Sequence, residues 1–406
     1  MKCLSKEKVP LAKGNVLHDC HAEVLAIRAF NRWLVEECKS LVLDPSRTDE
    51  EEEEKQGVNS GERRSPWVRW RRRRLQQDDD VDREDDADSR LLQPPFELHD
   101  DVRIHMYCSE APCGDASMEV LARGMADGGT PWEMDDPSTV KKHDDDEGDQ
   151  MEKHPSASDS SSFTTNANLL HGRAFFSLVG IVRRKPGRAD APPTLSKSCS
   201  DKLAMKQCTG LLSALTALLV APTANTYLSS FVLPARAVVD ESVERAFGPE
   251  GRMESVVAAA LVGESRGEAA FRFRPFRVRT TNRRFAWEKS EDCVASNLSA
   301  VVVAAATGRE KSHQEVLING VLQGRKMSDP RGASVLSRRR MWEAVLEVAE
   351  KTHLVGLNKD LRAERRTYEY VKKLPESSAR EQMKTEVRSK ALVGWARNIG
   401  DDQWSL

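Results

Sequence analysis

The sequence predicts one α/β domain, a mixed sheet flanked by helices, with a helical C-terminal part. Three observations predict it. Short apolar runs of strand length alternate with longer runs of helical period. No segment repeats at a fixed period. The low mean hydropathy of -0.57 and the 31 % charged share are concentrated in two polar blocks, residues 44–95 and 128–170. Without them about 310 of the 406 residues remain, within reach of a single core.

The first element is a helix over residues 15–43, where Val24, Leu25, Ile27, Phe30, Trp33 and Leu34 are apolar around much of the surface. Residues 44–95 follow, rich in charge blocks and poor in apolar residues, and read as a disordered insertion. Val102, Ile104, Met106 and Cys108 then alternate as in a strand. The pattern turns helical from Asp115 to about Met125, and a second disordered insertion, residues 128–170, comes next. Phe175 to Val182 reads as a short strand. A strong helix starts near Asp201, with Ser200 as its N-cap. The segments YLSSFVLP, FRFRPFRVRT, SNLSAVVVAAATG and QEVLINGVLQGR form an ordered part, with a strand expected in FRFRPFRVRT, and helices are expected in RRRMWEAVLEVAEKT and from Thr367 to Leu392.

The formal net charge of -2 sums strongly acidic and strongly basic segments and points to no partner. No run of about 18 apolar residues exists, so no membrane span is expected. The opening MKCLSKEKVPLAKG lacks the apolar core of a signal peptide. Eight scattered cysteines without such a signal imply free thiols or metal ligands and an intracellular compartment, cytoplasm or nucleus.

Three segments each place a metal-binding side chain at the mouth of a helix: His21 in HAE, Cys113 in PCGDAS and Cys199 in SCSDK. A helix N-terminus favours the thiolate, the form of cysteine that binds metal. One imidazole and two thiolates suit Zn²⁺, and three protein ligands leave a fourth position for water. Glu23 is then a carboxylate beside that water, free to move its protons. Base deaminases join H-x-E to P-C-x-x-C. Here Ala116 stands where the second cysteine belongs, so the third ligand comes from afar, as Cys199. A closed structural site, with Cys20 or Cys108 as fourth ligand, is the competing reading and leaves Glu23 without a role.

The stretches KGNVLHDCHAEVLAIRAF, SEAPCGDASM, KPGRADAPPTLSKSCSDKLAMKQ and VERAFGPEGRM resemble the eukaryotic adenosine-to-inosine RNA deaminases, and within them the tRNA-specific branch that edits alanine tRNA beside the anticodon. The resemblance covers nearly the whole chain apart from the insertions. It implies a cytidine-deaminase-like core, Zn²⁺ on His21, Cys113 and Cys199, and Glu23 as proton shuttle. The implied reaction is hydrolytic attack on C6 of adenine in tRNA, with no DNA substrate. Relatives acting on double-stranded RNA bury inositol hexakisphosphate. By that likeness Arg28, Lys202, Arg338, Tyr368, Lys372, Lys384, Trp395 and Asp402 are assigned to this ligand. The family reads Gly-Thr-Lys-Cys well inside its domain where this chain opens MKCL, so the family's upstream helix and strand are expected to be lacking.

Arg183, Arg184, Lys185 and Arg188, in the loop leading into SCSDK, are the expected RNA contacts. Arg272 and Arg274 read instead as the solvated face of a strand, and WVRWRRRR as neither nuclear address nor RNA tether. Two other functions compete: a deaminase of free nucleosides, and a catalytically silent RNA-binding member of the family.

Overall fold

The computed structural model describes residues 2–43, 65–71, 93–123, 172, 178–185, 191–262, 271–286, 296–309, 311–352, 355–362 and 366–406. The central element is helix α1, Ala22–Leu43. It starts seven residues later than its apolar pattern, because Asp19 Oδ1 accepts the backbone N–H of His21 at 3.0 Å and takes a donor at the helix mouth. One stripe of α1, Leu34, Val35, Cys38 and Leu41, enters the largest core cluster, with Leu218, Trp342 and Val345. Ile27 and Phe30 reach a second cluster, around Leu203, Phe231 and Phe247. Leu25, Ala29 and Trp33 reach a third.

Residues 65–71 and 93–95 correct the first expected insertion. Strand β1, Val68–Trp70, pairs antiparallel with β2, Phe96–Leu98. Val68, Phe96 and Leu98 face the core, Trp70 lies 4.5 Å from Phe96, and Trp67 meets Trp33 edge-on at 5.9 Å. Glu37, buried on α1, accepts from Ser65 Oγ at 2.9 Å and so ties the hairpin to the helix. The charges that hid this strand face outward, where Arg69 pairs with Glu97 and Asp100. Residues 44–64, 72–92 and the second expected insertion, 128–170, lie outside the described residues. Val68→Asp puts a charge at a site that is 1 % exposed. It is expected to cost at least about 3 kcal/mol and to lower Tm by roughly 6 °C or more. Calorimetry checks this, and an unchanged Tm would place the segment outside the cooperative core.

A three-stranded parallel sheet has the order β3-β4-β5, with β3 Ile104–Tyr107, β4 Leu228–Pro234 and β5 Arg277–Thr281. Its inner face, Ile104, Met106, Phe231 and Val278, packs into the second cluster. β5 is half the length expected, since Pro275 has no N–H for the ladder. A second, antiparallel sheet holds β6 Leu298–Val303, β7 His313–Ile318 and β8 Val321–Leu322, and packs on α1 through Val301, Val303 and Leu317. Asn319 and Gly320, both at positive φ, make the two-residue turn between β7 and β8.

In chain order α2, Met118–Arg123, preceded by a 3-10 turn at Asp115–Ser117, and α3, Cys199–Thr209, lie between β3 and β4, and α4, Asp240–Phe247, and α5, Glu254–Val262, between β4 and β5. The C-terminal part is helical as expected: α6 Arg338–Lys351, α7 Val355–Arg362, α8 Tyr368–Lys372 and α9 Pro375–Lys390. The expected strand Phe175–Val182 is absent from its described part, residues 178–182. Helix α3 is capped two residues earlier than expected, by Ser198, whose side chain accepts from Asp201 N.

Candidate metal centre

Three distant stretches meet at the first turns of α1 and α3. His21 immediately precedes α1, Cys199 is the first residue of α3, and Cys113 lies in the loop after β3. Cys113 Sγ is 3.7 Å and Cys199 Sγ 3.8 Å from His21 Nδ1. One ligand atom from each of the three lies within 4.8 Å of the others. Ligand bonds of about 2.0–2.3 Å in a tetrahedron imply spacings of about 3.3–3.8 Å, the range in which both nitrogen–sulfur distances fall, so the donor set suits Zn²⁺.

The cysteine loop is locked to α3. Ser200 N donates to Cys113 O at 3.0 Å, and Ser200 Oγ accepts from Ala116 N at 3.1 Å. Gly114, at φ 101°, passes so close to Ser198 that a Cβ would sit 2.3 Å from its Oγ. That contact requires glycine after the cysteine. Asp115 accepts from Gly180 N and pairs with Arg245, while Asp201 pairs with Arg252 at 2.6 Å. Each acid clamps a neighbouring loop onto the site.

The thiols are polarised. The hydrogen bond from Cys199 holds Cys113 well below the ordinary thiol range, with Lys185 and His21 adding to it against burial. The same bond and burial push Cys199 up. Lys185 Nζ bonds Cys199 Sγ at 3.2 Å and Asp19 Oδ2 at 2.8 Å. Burial would neutralise this lysine, but Cys113, Asp19 and Cys199 outweigh it and keep it charged. Lys202 pairs with the same Asp19 oxygen. A chain of contacts thus runs Lys202–Asp19–Lys185–Cys199. Asp19 and Lys185 lie in the quoted stretches KGNVLHDCHAE and KPGRAD, but local pattern gives neither of them this role. Their role exists only because residues 166 positions apart meet. Asp19 also approaches Cys3 and His21, but it is saturated by two lysines, and burial pushes the Cys3 thiol up to about 12.

A cavity of 510 Å³ opens over the centre, lined by His21, Cys113, Ser117, Met118, Arg184 and Arg236 among others. Glu23 is half-buried in the first turn of α1. Of the expected RNA contacts, Arg183 and Lys185 are corrected: they are 1 % and 3 % exposed. Arg183 donates to Gly172 O and Leu178 O, and Lys185 serves the thiolate chain. Both still touch the cavity wall beside Arg184 but are committed to these partners, and Arg188 lies outside the described residues.

A second polar centre lies behind the first. Arg338 reaches Asp401 at 2.9 Å and stands 5.4 Å over the Tyr368 ring, with Lys372 5.6 Å from the same ring. Arg28 donates to Leu336 O, Lys384 pairs with Glu381, and Lys197 stands 5.0 Å over Trp395. Asp402 accepts from Glu369 N through its carbonyl, and its carboxylate opposes the burial and the Arg338 charge that hold Lys372 below its ordinary range. Sequence reading missed four members: Lys197, Lys206, Arg380 and Arg388.

Burial, then Arg380, Lys384 and Arg28, holds Lys206 well below its ordinary range. Burial and Arg380 bring Lys384 down to about 7. The Nε–H groups of Arg380 and Arg388 are buried without a hydrogen-bond partner among the described residues. So many interior cations with so few acids are a costly arrangement unless an anion is held among them. The donor set therefore fits a polyphosphate.

The adenosine-deaminase (editase) domain family matches residues 1–62 and 83–399. The tRNA-specific adenosine deaminase 1 of Schizosaccharomyces pombe is 32 % identical over 392 residues, 96 % of this chain and 79 % of that protein. The protein of the same name from Saccharomyces cerevisiae is 30 % identical over 53 % of this chain and 40 % of its own length. That of Drosophila melanogaster is 26 % identical over 60 % of this chain and 45 % of its own length.

Proposed function

Because this chain belongs to the adenosine-deaminase (editase) family and is an adenosine deaminase, we propose that it converts adenosine to inosine in tRNA by zinc-dependent hydrolysis. The base next to the anticodon of alanine tRNA is the proposed target. The observation that carries the reading is the approach of His21 Nδ1 and the sulfurs of Cys113 and Cys199 to within 4.8 Å. The mixed α/β architecture, with the ligands at helix mouths, is consistent with a cytidine-deaminase-like core.

In this reading His21, Cys113 and Cys199 hold Zn²⁺, which when bound makes a water nucleophilic near neutral pH. Glu23 takes the proton of the attacking water and passes protons to N1 and then to the departing amino group. The balance is adenosine plus water giving inosine plus ammonia. Lys185 pulls both thiols towards the ionised form and bonds Cys199 Sγ at 3.2 Å, and Asp19 holds Lys185 in place. An anticodon loop presents its base unstacked, so entry to the cavity costs little. No described helix is long and apolar enough to cross a membrane; the cytoplasm or nucleus is the proposed compartment.

Inositol hexakisphosphate is the polyanion proposed for the basic centre, held by Arg28, Lys202, Arg338, Lys372, Lys384, Tyr368 and Trp395 together with the buried Lys197, Lys206, Arg380 and Arg388. Asp402 then orients Lys372 rather than meeting the ligand.

The test is inosine formation from an alanine tRNA transcript and, separately, from free adenosine. Product from the tRNA alone is the expected result. Equal turnover of free adenosine would replace this reading with a nucleoside deaminase.

A further inference from the structure

Strands β3, β4 and β5 run parallel, so their C-terminal ends share one edge of the sheet. That is the edge at which open α/β sheets bind their ligands. Beyond β3 the chain reaches Glu110, and beyond β4 it reaches Arg236. Both line the cavity over the metal centre, 3.4 Å apart. Beyond β5 come Arg283 and Phe285, both exposed. Phe285 turns back onto Tyr107, the last residue of β3, with ring centroids 5.8 Å apart and planes at 49°. The two rings touch, yet 43 % of Phe285 and 38 % of Tyr107 face solvent. In the register, Tyr107 lies beside Val232 and Val232 beside Arg279. Tyr107 and the exposed Arg279 therefore share a sheet face, about 10 Å apart across two strand spacings.

Exposed rings interleaved with arginines are what unpaired nucleotides require. Bases stack on the rings, and guanidinium groups meet the phosphates between them. We propose that Tyr107, Phe285, Arg279 and Arg283 form a platform for single-stranded RNA that holds the nucleotides flanking the edited base. The inference rests on the tRNA reading above. Glu110 is the local opposing charge, and its pairing with Arg236 screens it from the phosphates.

The experiment titrates the full chain with a fluorescent alanine tRNA transcript and measures kcat and KM for inosine formation. Phe285→Ala and Tyr107→Ala are each expected to raise Kd and KM about tenfold with kcat retained, and Phe285→Trp to bind like the native chain. Arg279→Glu is expected to weaken binding and to lower the slope of log Kd against log salt by about 0.7. Melting curves confirm that each variant folds. If the native chain binds tRNA and folded Phe285→Ala, Tyr107→Ala and Arg279→Glu bind equally well, the platform is overturned while the tRNA reading stands. A native chain that neither binds nor deaminates tRNA overturns both.

Discussion

Replacing Glu23 with alanine is expected to abolish inosine formation while leaving zinc in place. The carboxylate stands in the first turn of α1, two residues after His21, and is not one of the clustered donors. Its loss removes the group that moves protons between water, N1 and the departing amine. General acid–base groups contribute about 10²–10⁴ in rate, and one that serves several transfers in a single cycle belongs near the upper end. Glu23→Gln, which keeps the shape and loses the basicity, is expected to be equally inactive. Cys199→Ser makes the contrast. It removes a ligand and the sulfur that Lys185 contacts at 3.2 Å, so zinc content and activity fall together. Metal analysis beside an inosine assay separates the two. Full activity in Glu23→Ala with zinc retained would sink the mechanism.

The second large effect concerns the buried cations. Inositol hexakisphosphate added at about 1,000 times its Kd is expected to stabilise the chain by about 4 kcal/mol, roughly 8 °C in Tm for a domain of this size. The pH dependence has a definite sign. Burial, reinforced by Arg380, holds Lys384 at about 7 in the folded chain without ligand, against 10.5 for an ordinary lysine. Between these values the unfolded chain binds more protons than the folded one. The unliganded fold therefore loses stability as pH falls from about 10.5 towards 7. A polyanion returns the charge to Lys384, so binding takes up a proton in that window and affinity falls as pH rises through it. Calorimetric titration at pH 8 in buffers of different ionisation enthalpy measures the uptake. Binding heats that do not depend on the buffer would remove the claim, and Lys384→Met is expected to reduce the uptake.

The three clustered donors, His21, Cys113 and Cys199, were legible because each is a rare residue type beside a helix start, in HAE, PCGD and SCSDK. Chemistry demands those residues whatever surrounds them. The alternation of Ile104 and Met106 was legible because one face of β3 is half-buried and the other is exposed. Strand β1 was not, because a three-residue strand carries too short a period to show among so many charges. The basic loop was misread for a related reason. Arg183 and Lys185 look like a surface patch until the carbonyls, the thiolate and Asp19 that neutralise them are in view.

The sequence by itself determined the α/β class, the helical C-terminal part and the three donors, His21, Cys113 and Cys199, that meet at the helix mouths. These follow from local pattern and from the chemistry of single side chains. Only the tertiary structure decided which cations are buried and which acid holds them. It also decided that Asp19 links the basic centre to the thiolates, and that Phe285 meets Tyr107 at the rim of the sheet. The physical reason is that burial and charge pairing are properties of atoms close in space. Asp19 and Lys185, or Tyr107 and Phe285, become neighbours only when the core closes around α1.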